Sequence, residues 1–116
     1  MIGSNSPIPA STLVDAVKHD GDKARWDLLP DSMPDVVAVF GYGAKKYEEW
    51  NWARNGGFKW SRLIAAAFRH LWAFSRGEDV DPESNLPHLA HCVACLLMLL
   101  SYMRDTKAYP NDDRRK

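Results

Sequence analysis

Apolar residues recur every three or four positions along three stretches of the chain, the spacing of a helix with one buried face. In the first, Met33, Val36, Val37, Phe40, Ala44 and Tyr47 predict a helix beginning near Ser32. Ser32-x-x-Asp35 has the form of a capping box, and Pro34 suits a first turn. Gly41 and Gly43 interrupt this pattern, each costing up to roughly 1 kcal/mol relative to alanine. Either the helix bends there or another backbone or a ligand comes close; close packing is the expectation. NWARNGGFK, 51–59, is a loop with Asn55-Gly56-Gly57 as its turn signal. A second stripe of Trp60, Leu63, Ile64, Ala67, Phe68, Leu71 and Trp72 predicts a helix to about Arg76, stopped by Gly77. The last helix, about 87–105, starts at Pro87 and is apolar nearly all round from Leu89 to Leu100, which makes it central. Strand-like alternation is scarce. The fold class is all-α: a small helical domain of three main helices plus short helical pieces.

The division that follows is an N-terminal arm (1–22), a single helical domain (23–106) and a polar, frayed tail (107–116). The arm carries Gly3, Pro7, Pro9 and Gly21 with a weak apolar set at Leu13, Val14 and Val17, and is loose or packs on something else. A length of 116 residues suits one compact domain. Fifteen basic and fifteen acidic residues cancel, so no net field draws the chain to nucleic acid or membrane, and no stable nucleic-acid complex is expected. CVACLLMLL, 92–100, is too short to span a bilayer, and no apolar leader follows Met1. Cys92 and Cys95, three apart on one helix, are poorly placed to bridge each other. The expected setting is a reducing cytoplasm. Five tryptophans are too many for one small core, so some line a pocket or a subunit contact. Three short helices cannot cover a last helix apolar on nearly every face, which predicts a homo-oligomer.

Chemistry concentrates in GEDVDPESNLPHLAH, 77–91, where acid abuts the most apolar helix. Glu78 and Asp81, three apart, share a side of one helical turn, and Asp79 can join them from a bent loop; oxygen ligands of this kind suit Mg²⁺. The alternative is a solvated loop in which Asp81-Pro82-Glu83-Ser84 caps a turn. His88 and His91 open the last helix, and His70 sits beside the stripe of the second. Such a pair with a carboxylate could hold Zn²⁺ or Mn²⁺. His88-x-x-His91-Cys92-x-x-Cys95 has the look of a zinc motif, but its spacing is helical and small core thiols are the simpler reading. In GYGAKKYEEWNWARNGG, Tyr47, Trp50 and Trp52 are either core or an aromatic face for a base. Asn51 would then meet its polar edge, and Lys45, Arg54 and Arg69 would meet phosphates.

The order Gly43-Ala44-Lys45-Lys46-Tyr47, Asn51-Trp52, Arg69-His70-Leu71, Gly77-Glu78, Asp81, Ser84 and His88-Leu89-Ala90-His91 resembles the phage and prophage dATP/dGTP diphosphohydrolase N-terminal family, over about residues 20–100. The resemblance implies conversion of a purine deoxynucleoside triphosphate to the monophosphate and pyrophosphate with a divalent metal. On that reading Glu78, Asp79 and Asp81 hold Mg²⁺ or Mn²⁺, and Glu78, Asp81 and His91 are catalytic. Lys45, Tyr47, Asn51, Trp52, Arg54, Arg69, His70 and His88 bind substrate. Two other readings stand beside it: a non-catalytic protein that sequesters a nucleotide signal, and a structural oligomer with empty pockets.

Overall fold

The structure, a computed structural model, describes residues 16–114. Most of the expected arm, Leu13 and Val14 included, lies outside the described residues. Three helices carry the fold: α1 (Met33–Lys46), α2 (Trp60–Ser75) and α3 (His88–Arg104). Short 3-10 turns at Trp26–Leu28 and Asn51–Gly56 supply the smaller helical pieces. The loop between α2 and α3 holds a two-rung antiparallel hairpin, β1 (Val80–Asp81) and β2 (Leu86–Pro87), pairing Val80 with Pro87 and Asp81 with Leu86. No periodicity announces strands this short. Among the described residues no helix is long and apolar enough to cross a membrane.

Helix limits follow the sequence signals closely, though not every mechanism does. Pro34 occupies the first turn of α1, but Ser32 makes no side-chain cap. Its backbone is already helical, and its carbonyl accepts from the Asp35 amide at 3.1 Å. Pro87 is not the first helical residue of α3. It is extended (φ −56°, ψ 134°) and hands the chain to a helix starting at His88.

α3 is central. One side packs Cys92, Cys95 and Tyr102 against Trp60, Leu63 and Ala67 of α2. Another packs Ala90 and Ala94 against Val36 and Val39 of α1. Tyr102 has no exposed surface. Its hydroxyl donates to the Trp52 carbonyl oxygen at 2.5 Å and accepts from the Phe58 amide at 3.1 Å, which closes the 51–58 loop onto α3. Gly57 makes this approach possible. It lies in the left-handed region (φ +77°), and a Cβ there would stand 2.7 Å from the Tyr102 ring and hydroxyl.

Two expectations need correction. Gly41 and Gly43 are not close-packed: a Cβ at either would meet nothing within 4 Å, because both face open space beside a cavity. The tail does not fray over its described part. Tyr109 stacks on Tyr102 (4.6 Å), and the Asn111 side-chain amide donates to the Gly56 and Gly57 carbonyls at 3.2 and 3.1 Å. The Ser61 amide at the start of α2 donates to Asp113 at 2.9 Å. Polar composition is no obstacle, since every one of these contacts except the ring stack is a hydrogen bond to backbone or to a helix start.

These contacts predict opposite outcomes for two glycines in urea unfolding. Gly57→Ala loses about 2 kcal/mol or more, from positive φ plus the clash. Gly41→Ala is neutral or gains up to about 1 kcal/mol. Tyr102→Phe loses about 1–3 kcal/mol, because two buried backbone groups lose their partner.

Candidate functional site

The acidic loop partly caps itself, as the solvated-loop reading expects. Asp81 Oδ1 accepts the Glu83 amide (2.9 Å), the Asp81 carbonyl accepts the Asn85 amide (2.7 Å), and Ser84 Oγ accepts the Leu86 amide (3.2 Å). Asn85 takes the left-handed conformation (φ 61°) that the tight return needs. The hairpin nevertheless turns two carboxylates inward, toward the first turn of α3.

There the three histidines meet. His70 Nδ1 is 2.8 Å from His88 Nδ1, and the His70 and His91 rings stack 4.5 Å apart at 8°. His88 is buried. Its Nε2 meets Glu78 Oε1 at 2.6 Å, and its backbone amide donates to the Asp79 carbonyl at 2.9 Å. His91 Nε2 meets Ser84 Oγ at 2.6 Å, with Asp81 Oδ2 at 3.7 Å. Serine and aspartate address the same ring nitrogen, so this is not a Ser–His–Asp triad, which needs the carboxylate on the other one. Burial pushes His70 and His91 below the ordinary histidine value, with the His91 charge adding to the effect at His70. Both rings therefore stay neutral near pH 7, the form that accepts a proton or a metal.

Among the described residues, His70, Asp81 and His88 each offer one ligand atom, all within 4.8 Å of one another. Of the three carboxylates expected to hold a metal, this group includes Asp81. Glu78, Asp79 and Asp81 do not converge, because Glu78 is taken by His88 while Asp79 is exposed and contributes only its carbonyl. Two imidazoles and one carboxylate fit Mn²⁺ better than Mg²⁺, which prefers oxygen throughout. Glu78 behind His88 has the form of a carboxylate that orients a metal-binding histidine. Cys92 and Cys95 are buried in the α2–α3 core, and burial pushes the Cys95 thiol up to about 11; they are core residues.

A cavity of about 580 Å³ lies elsewhere, walled by Phe40, Tyr47, Trp50, Trp52, Phe58 and Met98, with Glu48, Glu49 and Asn51 at its polar edge. Trp50 is held at φ 61°, a conformation costly for a bulky residue, and its ring is exposed. The cavity and the histidine cluster lie on different faces of α1. Phe40, Ala44 and Tyr47 turn to the cavity. Tyr42 and Lys46, each about 160° away from Phe40 and Ala44 in turn, reach the hairpin instead. The Tyr42 hydroxyl donates to Glu83 Oε2 at 2.8 Å, Lys46 pairs with the same oxygen, and the Tyr42 ring stands edge-on to His91. Lys46 and then Tyr42 hold the Glu83 carboxyl below its usual range.

The sequence-predicted residues thus separate into groups. Tyr47, Asn51 and Trp52 border the cavity; His70, Glu78, Asp81, His88 and His91 form the cluster. Lys45 is exposed and off the cavity wall. Arg54 is committed to Glu48 Oε1 (2.9 Å) and the Glu49 carbonyl (3.3 Å). Arg69 is exposed on α2, near enough that its charge adds to the lowering at His70. Tyr42 and its pairing with Glu83 escape sequence reasoning, since nothing local links residues 41 apart.

A family model described as dATP/dGTP diphosphohydrolase, N-terminal, matches residues 14–114. A Salmonella phage PMBT28 protein named dATP/dGTP diphosphohydrolase is 32% identical over 100 residues, 85% of this chain and 33% of that protein. The chain therefore spans about a third of that relative's length. No solved structure matches.

The two depressed histidines set a pH dependence. Below the ordinary value of 6.5 the unfolded chain takes up protons that folded His70 and His91 resist, so folded stability is full above 6.5 and falls as pH drops through their folded values. Thermal melting from pH 8 to pH 5 shows a declining Tm below about 6.5, and His91→Gln flattens the decline.

Proposed function

The chain belongs to the dATP/dGTP diphosphohydrolase N-terminal family, and from that premise we propose that it hydrolyses a purine deoxynucleoside triphosphate to the monophosphate and pyrophosphate with a divalent ion. The observation that carries the reading is the convergence of His70, Asp81 and His88 within 4.8 Å, backed by Glu78 on His88.

These three residues would hold Mn²⁺, or Mg²⁺ less well. When bound, such an ion neutralises triphosphate oxygens and polarises the phosphorus under attack. The protein's own groups do the rest. Water adds to the α-phosphorus, the bond to the bridging β-phosphate oxygen breaks, and His91, neutral and half-buried, accepts the water's proton at Nε2 once Ser84 yields it. Lys46, next to the cluster through Glu83, is the cation nearest in role to a phosphate partner. The aromatic cavity suits a purine in size and stacking surface, with Asn51 at its polar edge; acid at its rim disfavours the phosphate end. Because cavity and cluster sit on different faces of α1, their roles need separate tests. The reading places the protein among free nucleotides of the host cytoplasm.

The test is product analysis with dATP or dGTP and Mn²⁺, alongside calorimetric titration and melting of each variant. Asp81→Asn, His88→Ala and His91→Ala each lower turnover about 100-fold or more, and Glu78→Gln about 10–100-fold, all with folding retained. Trp50→Ala weakens nucleotide binding by about 1–3 kcal/mol. Tight binding with no product in the wild type would assign sequestration instead. Wild-type turnover in both Glu78→Gln and Asp81→Asn would remove the cluster from the chemistry.

A further inference from the structure

α3 has three faces, and among the described residues only two are covered. Cys92, Cys95 and Tyr102 face α2, while Ala90 and Ala94 face α1. A one-residue advance along a helix turns about 100°. One residue beyond His88, Cys92, Cys95, Leu99 and Tyr102 stand Leu89, Val93, Leu96, Leu100 and Met103, and all five are exposed. Their spacing of four, three, four and three is that of a helix–helix seam.

α2 continues the same face. Trp60 meets Tyr102 and His70 meets His88, so α2 and α3 run antiparallel. In an antiparallel pair, advancing past the contact line turns both helices to the same side. On α2 that side carries Phe68 (67% exposed), Leu71 and Trp72 (67% exposed), beside Leu96 (49%) and Leu100 (54%) of α3. α1 lies across the opposite side of the pair.

We infer that this α2–α3 face is the interface with a second copy of the chain, the two hairpins closing into a four-helix bundle. Two observations select that occupant. The centre of the face is apolar: α3 carries no Lys, Arg, Asp or Glu from Leu89 to Met103, while on α2 Arg69 stands about 100° round from Phe68 and Arg76 lies over the Trp72 ring at the edge, so the centre offers nothing to nucleic acid, an acidic peptide or a lipid headgroup. Its eight large apolar side chains expose on the order of 800 Å², about what each partner gives to a standard interface and more than monomers ordinarily leave open. A hairpin presenting one uniform apolar face is self-complementary, as a two-fold interface requires. The assignment is independent of whether the histidine cluster hydrolyses anything.

Sedimentation equilibrium of the full chain at micromolar concentration gives twice the 13.1 kDa chain mass. Leu96→Glu and Leu100→Glu, at sites outside the single-chain core, give monomers whose circular dichroism remains helical. Leu96→Ala raises the dimer dissociation constant by about tenfold or more, and decides the matter if either glutamate variant misfolds. Val37→Glu, an equally exposed change on α1, leaves the mass unchanged. A wild-type mass of 13.1 kDa throughout overturns the inference. So does a wild-type dissociation constant in Leu96→Ala, or a dimer that Val37→Glu alone disrupts.

Discussion

The Tyr102 hydroxyl is the bond on which the rest of this structure hangs. A phenol with no exposed surface must find hydrogen-bond partners, and this one takes the Trp52 carbonyl and the Phe58 amide, 50 and 44 residues away. The cost of leaving those groups unpaired forces the 51–58 loop down onto α3, and Gly57 is the residue that permits the contact. Once the loop is down, Trp50, Asn51 and Trp52 stand around the aromatic cavity, and the ring of Tyr102 becomes the surface on which Tyr109 stacks. Cavity and C-terminal segment are both consequences of one buried oxygen.

The other end of α3 solves a different problem. Its first turn brings His88 and His91 against His70, three polar rings in a partly buried place. They can share few protons among themselves, and His88 and His91 each need an outside partner. The hairpin supplies them: Glu78 for His88, Ser84 and Asp81 for His91. Acid therefore abuts the most apolar helix because that helix starts with histidines. A group of donors so arranged, with two rings kept neutral by burial, is also what a divalent ion and a proton transfer require. Stabilising the turn and preparing the proposed site are one arrangement.

Helices were the legible part. A stripe at three- and four-residue spacing reports burial on one side whatever covers it, so Met33–Tyr47, Trp60–Trp72 and Leu89–Leu100 located α1, α2 and α3 closely, and the apolarity of α3 marked it as central. The histidines and acids of residues 70–91 were legible as a set, since three histidines bracket the acid cluster. Their pairing was not. Glu78, Asp79 and Asp81 look equivalent along the chain, and only the hairpin's twist sends Glu78 to His88 and leaves Asp79 outside. The same limit applies to Arg54, whose partner Glu48 lies across a turn, and to the polar tail, whose hydrogen bonds end on backbone 50 or more residues away.

By itself, then, the sequence determined the three helices, their order of burial and the residue types available for chemistry, because each of these depends on neighbours within about two turns. Tertiary structure alone decided which carboxylate meets which imidazole, that the aromatic cavity and the histidine cluster occupy opposite faces of α1, and which face of α3 the described residues leave bare. Those outcomes depend on the rotation of one helix against another, where a difference of one residue, about 100° of turn, exchanges a buried position for an exposed one.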